Sequence, residues 1–161
     1  MPMKISRPKS FFLLVGLLFV CTILFAQNRF GPRESDLLIS DRQGKVLGCL
    51  LLKDKRFDHV FVHSIHLTKV EEKFEIDGSG NLHLFELRYE SSGVGMPSDS
   101  EGGYRLEDGR FILSMDRTFH KIPLFVSILP GHGVSVGGKF HPFTEWAKPE
   151  NNLILTARMH Q

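Results

Sequence analysis

The chain has 161 residues, of which 42% are hydrophobic and 24% charged, a size and composition typical of one globular domain with its own core. Its formal charge of +2 excludes the concentrated positive charge of a nucleic-acid-binding protein. The basic surplus also lies at the very start, because without Lys4, Arg7 and Lys9 only 17 basic residues face 18 acidic ones. The sequence therefore predicts no nucleic-acid partner.

Residues 1–26 predict an export segment, because basic residues precede an apolar run from Phe11 to Ala26. As a helix this run would span roughly 24 Å, less than the ~30 Å hydrocarbon core of a bilayer. Ala26 is the only small residue of Leu24-Phe25-Ala26, so the pattern leaves open a cleaved signal peptide and a retained membrane anchor, with lipidation at Cys21 as a third outcome. In each case the rest of the chain is expected in the periplasm or on the outer face of the cytoplasmic membrane.

Residues 27–36 predict a spacer, and residues 37–161 a single β domain. Apolar runs recur between turns rich in Gly, Asp, Asn and Pro, and no stretch keeps a helical period over three turns. This pattern predicts an all-β fold, either one antiparallel β-sandwich or a partly open β-barrel, preceded by the N-terminal hydrophobic export or anchor helix. The predicted strands are Leu37–Ser40, Val46–Leu52, Phe57–Ser64, Val70–Asp77, Asn81–Tyr89, Phe111–Met115, Pro123–Leu129 and Leu153–Arg158.

Gly78-Ser79-Gly80 predicts a three-residue hairpin loop in which the last glycine takes a left-handed conformation. This loop places Asp77 opposite Asn81. It also pairs Ile76 with Leu82 and Phe74 with Leu84, apolar against apolar. Farther along the second strand, a bulge near Leu84-Phe85 is expected to return Glu86, Arg88 and Glu90 to solvent.

One hairpin earlier, a loop from Ile65 to Val70 would bring His63 opposite Glu72 and Ser64 opposite Glu71. Because alternate residues of a strand share a face, Glu72 is predicted on the apolar face with Val70 and Phe74, and Glu71 on the wet face. A carboxylate on an apolar face needs a partner. The predicted register supplies His63.

Three roles stay open for this pair: a structural contact, a ligand or partner contact, and a metal half-site or general acid/base pair. A metal ion would require His59 or His132 to approach. Ser64 lacks the Gly-x-Ser-x-Gly elbow of a nucleophilic serine, so no catalytic residue and no metal ligand is assigned.

Two segments have open roles. The loop from Ser91 to Pro97 either grips a ligand or only connects two strands. Phe140, Phe143 and Trp146 either enter the core or form an exposed binding patch.

The sequence resembles the domain of unknown function family 1850. The residues that carry the resemblance are His63-Ser64, the acidic pair Glu71-Glu72 within Val70–Ile76, Ser91–Pro97 and Gly137-Gly138, in that order. The resemblance implies a small bacterial extracytoplasmic β domain associated with membrane components of TRAP-type solute transporters, especially those that use the TAXI class of binding protein. It also implies the ligand-binding or partner-binding positions, which are His63, Ser64, Glu71, Glu72, Ser92 and Gly95.

The leader and the resemblance together predict a membrane-associated, non-enzymatic accessory or binding module linked to TRAP-type solute transport. Its expected partners are the membrane, through the N-terminal segment, and a transporter membrane subunit or a solute-binding protein. No cofactor is expected. Two alternatives stay open: a metal-dependent or hydrolytic enzyme centred on His63 and Glu72, and a structural envelope protein without a ligand.

Overall fold

The computed structural model describes residues 34–90 and 102–160. These residues form eleven strands and, apart from a single 3₁₀ turn at Phe143–Glu145, no helix. The all-β prediction is therefore confirmed for the described part of the chain. The strands are β1 (Ser35–Ser40), β2 (Val46–Leu52), β3 (Arg56–Val62), β4 (Lys69–Ile76), β5 (Leu82–Tyr89), β6 (Tyr104–Glu107), β7 (Arg110–Phe119), β8 (Ile122–Phe125), β9 (Gly133–Val136), β10 (Lys139–Pro142) and β11 (Asn152–Met159).

The strands form two antiparallel sheets, and neither closes into a barrel. The smaller sheet has the order β2-β1-β11-β8, and the larger has the order β10-β9-β3-β4-β5-β7-β6. In the described part of the chain, five pairs of consecutive strands are hydrogen-bonded neighbours: β1–β2, β3–β4, β4–β5, β6–β7 and β9–β10. In contrast, β11 returns from the far end of the chain to lie between β1 and β8. The smaller sheet therefore joins the two ends of the described domain.

One hydrophobic core draws its residues from both sheets. Alternate positions of the smaller sheet, such as Leu37, Ile39 and Leu155, are fully buried. On the larger sheet Phe57 stacks on Phe74, with ring centroids 5.1 Å apart. Strand alternation decides which side chains reach this core, as expected when one face of each sheet is buried.

The β4–β5 hairpin confirms its predicted register. Asp77 N–H donates to the Asn81 carbonyl at 3.0 Å, and Ile76 pairs with Leu82. Gly80 has φ +82°, the left-handed conformation that this loop requires and that a residue with a Cβ rarely adopts. Two carboxylate hydrogen bonds, from the N–H groups of Ser79 and Asn81 to Asp77 Oδ1, complete the turn.

The predicted bulge in β5 is also confirmed. The β4–β5 register shifts between Lys73 and Phe74, which pair with Glu86 and Leu84, so Phe85 is the extra residue. Beyond it Leu87 and Tyr89 are buried. Glu86 instead pairs on the outer face with Arg88 and Arg105.

Three strands, β6, β9 and β10, are missing from the sequence-based prediction, and β7 is longer than predicted. Each of the three has only four residues, and all four residues of β6 are exposed. An apolar run marks a strand only where several residues of one face are buried, so strands this short give little signal. Gly137-Gly138 joins β9 to β10 as a hairpin turn.

The predicted leader (1–26) and most of the spacer (27–36) lie outside the described residues, as does the loop from Ser91 to Pro97. Within the described part, no helix has the length and apolar character needed to cross a bilayer. Of the three aromatic residues with open roles, Phe143 is fully buried, Trp146 packs against the core, and Phe140 is 41% exposed.

Candidate functional site

The partner of Glu72 across the β3–β4 hairpin is His59, so the predicted pairing of His63 with Glu72 is wrong. The strands pair His59 with Glu72 and Val62 with Lys69. The true register differs from the predicted one by four residues. Four is an even number, so the face assignments survive: Glu72 lies on the inner face and Glu71 on the outer one.

The register was missed because the turn between β3 and β4 carries no sequence signal. His63 N–H donates to the Thr68 carbonyl at 2.9 Å, and Leu67 N–H donates to the His63 carbonyl at 2.8 Å. The residue that closes this turn is Leu67, with φ +53°, a conformation in which glycine or asparagine is expected. The turn therefore holds His63 and Ser64, and β4 begins at Lys69.

Glu72 starts a chain of hydrogen bonds that passes through two histidines. Its Oε2 lies 2.8 Å from His59 Nδ1, and His59 Nε2 lies 3.0 Å from His132 Nε2. On the far side, the Ser127 backbone N–H donates to His132 Nδ1 at 2.9 Å. The chain joins β4, β3 and the loop that follows β8.

The directions of these hydrogen bonds follow from the backbone donor at one end. Because Ser127 N–H donates to His132 Nδ1, this nitrogen carries no proton, and the neutral ring holds its proton on Nε2. That proton is donated to His59 Nε2, which leaves the His59 proton on Nδ1, facing Glu72. Both rings are therefore neutral, and the chain carries the single negative charge of Glu72.

The surroundings of the rings favour this neutral form. Burial, the largest cause, and the adjacent His59 together lower the pKa of His132 from 6.5 to about 4, whereas the charge of Glu72 opposes the decrease. The fully buried Phe143 ring lies edge-on to His132 at 4.8 Å. The residues His59 and His132 are only 8% and 9% exposed.

Tight packing of backbone holds His132 in position. The carbonyl of His132 accepts a hydrogen bond from Phe143 N–H at 3.0 Å. The next residue, Gly133, passes so close to β10 that a Cβ would lie 2.3 Å from the His141 carbonyl oxygen. Only glycine fits there, so the Gly131-His132-Gly133 segment can turn the ring towards His59.

The chain of hydrogen bonds forms the polar wall of a cleft of about 410 Å³, named here the sheet-end cleft. The cleft lies where the β3–β4 turn faces the end of β8. Its volume falls within the range of small-molecule sites. The lining residues are His59, Phe61, Val62, His63, Ser64, Glu72, Leu124, Phe125, Ser127 and His132.

Three of the six predicted site residues line this cleft: His63, Ser64 and Glu72. Glu71 lies on the opposite face of β4. Ser92 and Gly95 lie outside the described residues. The sequence does not predict that His59 and His132 meet in this cleft, nor that Phe61, Leu124 and Phe125 line it. His59 had one usable signal, because it alternates with Phe57 and Phe61 on the inner face of β3.

Glu71 is surrounded by cations. Its carboxylate pairs with Lys69 and lies 3.6 Å from Arg110. Burial acts to raise the pKa of Glu71, but the hydrogen bond from Lys69 and the nearby positive charges lower it below its usual value. The Glu71 side chain is 16% exposed and that of Glu72 is 28% exposed, so the residue on the predicted wet face is the more covered one.

The tautomers limit what the chain of hydrogen bonds can do chemically. A metal ion would bind His132 through a bare Nε2, but this nitrogen carries the proton because Nδ1 accepts Ser127 N–H. A general base needs a free ring nitrogen facing its substrate, and the ring nitrogens of His59 and His132 are all occupied within the chain. Among the described residues, no three His, Cys, Asp or Glu side chains are grouped to hold a metal ion.

Two other depressions have polar linings. One, of about 410 Å³, lies on the outer face of the larger sheet, where Lys73 faces Asp58 at 3.6 Å. The other, of about 600 Å³, lies beside Trp146, where Arg42 donates to Asn152 at 3.0 Å. Neither contains a buried charge without an oppositely charged partner.

Comparison with known proteins gives one match. The model of the family described as Domain of unknown function (DUF1850) matches residues 57–143, more than half of the chain and the stretch that contains His59, Glu72 and His132. No curated protein and no solved structure matches the chain.

Proposed function

Because the chain belongs to the family described as Domain of unknown function (DUF1850), we propose that it is a membrane-associated, extracytoplasmic binding module that serves a TRAP-type solute transport system without catalysing a reaction. The observation that carries the proposal is the sheet-end cleft. It combines apolar side chains with the polar chain of hydrogen bonds, as is typical of small-ligand sites.

The arrangement of protons in the cleft supports binding over catalysis. Every ring nitrogen of His59 and His132 has a partner inside the chain of hydrogen bonds, so neither ring offers a base or an acid to a bound molecule. Such a fully satisfied network stabilises one shape of the site.

The sequence supports a location outside the cytoplasmic membrane. A basic start and the apolar run from Phe11 to Ala26 are typical of an export segment, whether cleaved or retained. In this proposal the N-terminal segment associates with the membrane, and the domain meets a transporter membrane subunit or a solute-binding protein.

The proposal is tested by measuring initial uptake of radiolabelled solute in cells that lack this protein and retain the transporter. We expect uptake to fall on deletion and to return with the wild-type chain. Ser64→Trp, which fills the mouth of the cleft, should not restore uptake. Ser79→Trp, in the exposed β4–β5 turn, is the matched control and should restore it. Unchanged uptake on deletion would contradict the proposal.

A further inference from the structure

The charge of the sheet-end cleft is unusual for this protein. Among the residues that the structure describes, Glu72 is the only carboxylate in the lining of this cleft, and no lysine or arginine lines it. The two loops beside it, residues 63–68 and 126–132, contain no Asp, Glu, Lys or Arg, although 24% of the whole chain is charged. The cleft therefore contains one negative charge and no formal positive one.

The histidines do not neutralise Glu72. The hydrogen bond from Ser127 N–H fixes both His132 and His59 as neutral rings. The third ring in the lining, His63, accepts the Ile65 backbone N–H on Nδ1 at 3.3 Å, so this nitrogen has no proton to donate to Glu72. Glu72 receives one hydrogen bond from a neutral donor, and its side chain remains 28% exposed.

Apart from Ser64 and Ser127, the rest of the cleft is apolar and partly aromatic. Phe61 and Leu124 form its walls, and Phe125 is 56% exposed at its edge. Aromatic ring faces attract cations, and apolar walls favour an alkyl chain over a compact hydrated ion. A molecule that suits both parts carries a positive group at one end and an apolar body.

From this complementarity we propose that the sheet-end cleft binds an alkylammonium group, with the ammonium at the Glu72 carboxylate and the alkyl chain against Phe61, Leu124 and Phe125. This inference rests on the proposed function, since it names the ligand chemistry of the same cleft. A free small amine and the side chain of a partner protein's lysine offer the same group.

The test compares probes of equal chain length on the full-length protein: hexylammonium, hexanoate and hexanol, each titrated by calorimetry. We expect hexylammonium to bind at least about tenfold more tightly than hexanoate or hexanol. In a second arm, Nα-acetyl-lysine amide distinguishes the two sources. An affinity equal to or above that of hexylammonium indicates a lysine of a protein partner, and a much weaker one indicates a small amine.

Matched variants locate the binding. Glu72→Gln keeps an oxygen acceptor for His59 Nδ1–H and removes the charge, so the preference for hexylammonium should disappear with a loss of about tenfold or more. Glu71→Gln removes the neighbouring charge on the opposite face and should leave binding unchanged. Equal losses in both variants would overturn the inference, because they would indicate nonspecific attraction to the protein.

A measurement on the wild-type protein keeps the test independent of how the variants fold. Ring resonances of His59 and His132 in NMR spectra should shift with hexylammonium and stay unchanged with hexanoate. Binding of hexanoate or hexanol as tight as that of hexylammonium overturns the cation assignment and leaves the binding module standing. Absence of a response to all three probes and to Nα-acetyl-lysine amide overturns the inference, while the uptake assay decides the proposed function separately.

Discussion

Glu71 and Glu72 are neighbours in β4, yet their surroundings are opposite in kind. Glu71 faces outward and pairs with Lys69 and Arg110. Glu72 faces inward and meets the neutral ring of His59. The outer carboxylate is thus neutralised within the protein, whereas the inner one keeps its charge at the edge of a cleft.

The same contrast separates the two faces of the larger sheet. The outer face carries a row of ion pairs, including Arg56 with Glu75 at 3.2 Å and Lys73 with Asp58 at 3.6 Å. Such pairs on a solvated face contribute little stability each and keep the surface polar. The two faces therefore differ in the partners of their carboxylates, which are lysine and arginine outside and a neutral histidine at Glu72.

The largest loss of stability is expected when the imidazole of His59, which lies between Glu72 and His132, is removed. His59→Ala leaves a half-buried carboxylate and the His132 Nε2–H without their partner, so we expect a loss of about 3 kcal/mol in the free energy of unfolding. Urea denaturation measures it. His63→Ala is the control and should cost about 1 kcal/mol or less. If His63→Ala cost more stability than His59→Ala, this result would support the pairing of His63 with Glu72 predicted from the sequence.

The pH dependence of stability tests whether His132 is buried as a neutral ring. Its pKa is about 4 in the folded protein and 6.5 in the unfolded chain, so the unfolded chain binds more protons between these values. The free energy of unfolding should therefore fall as the pH decreases from 6.5 to 4, by an amount on the order of 3 kcal/mol from this group.

The matched variant for this test is His132→Asn, whose side-chain oxygen can still accept Ser127 N–H. Because asparagine does not titrate, the free energy of unfolding should decrease less between pH 6.5 and pH 4 than in the wild type. The difference is the contribution of His132. Curves of equal slope, measured by urea denaturation at each pH, would show that His132 titrates normally.

A smaller effect is expected on the outer face. Glu71→Gln removes the partner of Lys69 and Arg110 and should cost about 1 kcal/mol at low salt. Because salt screens exposed partners, this cost should shrink at high ionic strength. The loss caused by His59→Ala should change much less. Equal salt dependence of the two losses would erase the distinction between the faces.

The smallest expected effect on stability concerns the turns at the two ends of β4. The β4–β5 turn places Gly80 at positive φ, whereas the β3–β4 turn uses Leu67, which is 67% exposed and has little packing to lose. Leu67→Gly should therefore stabilise the protein by about 0.5 kcal/mol, through relief of backbone strain. Thermal unfolding measures the change. A destabilised variant would mean that Leu67 makes contacts that its exposure does not indicate.

The two turns also show how much of the site could be predicted. Gly78-Ser79-Gly80 signals its own geometry, so the register of Ile76 with Leu82 followed from local sequence. No residue between His63 and Thr68 signals the positive φ at Leu67, so the register of β3 with β4 did not follow, and His63 was assigned the place of His59. Short exposed strands such as β6 were missed because they bury no apolar face.

The sequence by itself determined the all-β class, the bulge in β5 and the opposite faces of Glu71 and Glu72, because these depend on alternation and turn chemistry within a few residues. Only the tertiary structure decided which histidines meet Glu72. His59 and His132 are far apart in the chain, and β9, by pairing with β3, brings the second ring to the first. Their protons are then fixed by a backbone donor, Ser127 N–H, whose position no side-chain pattern encodes.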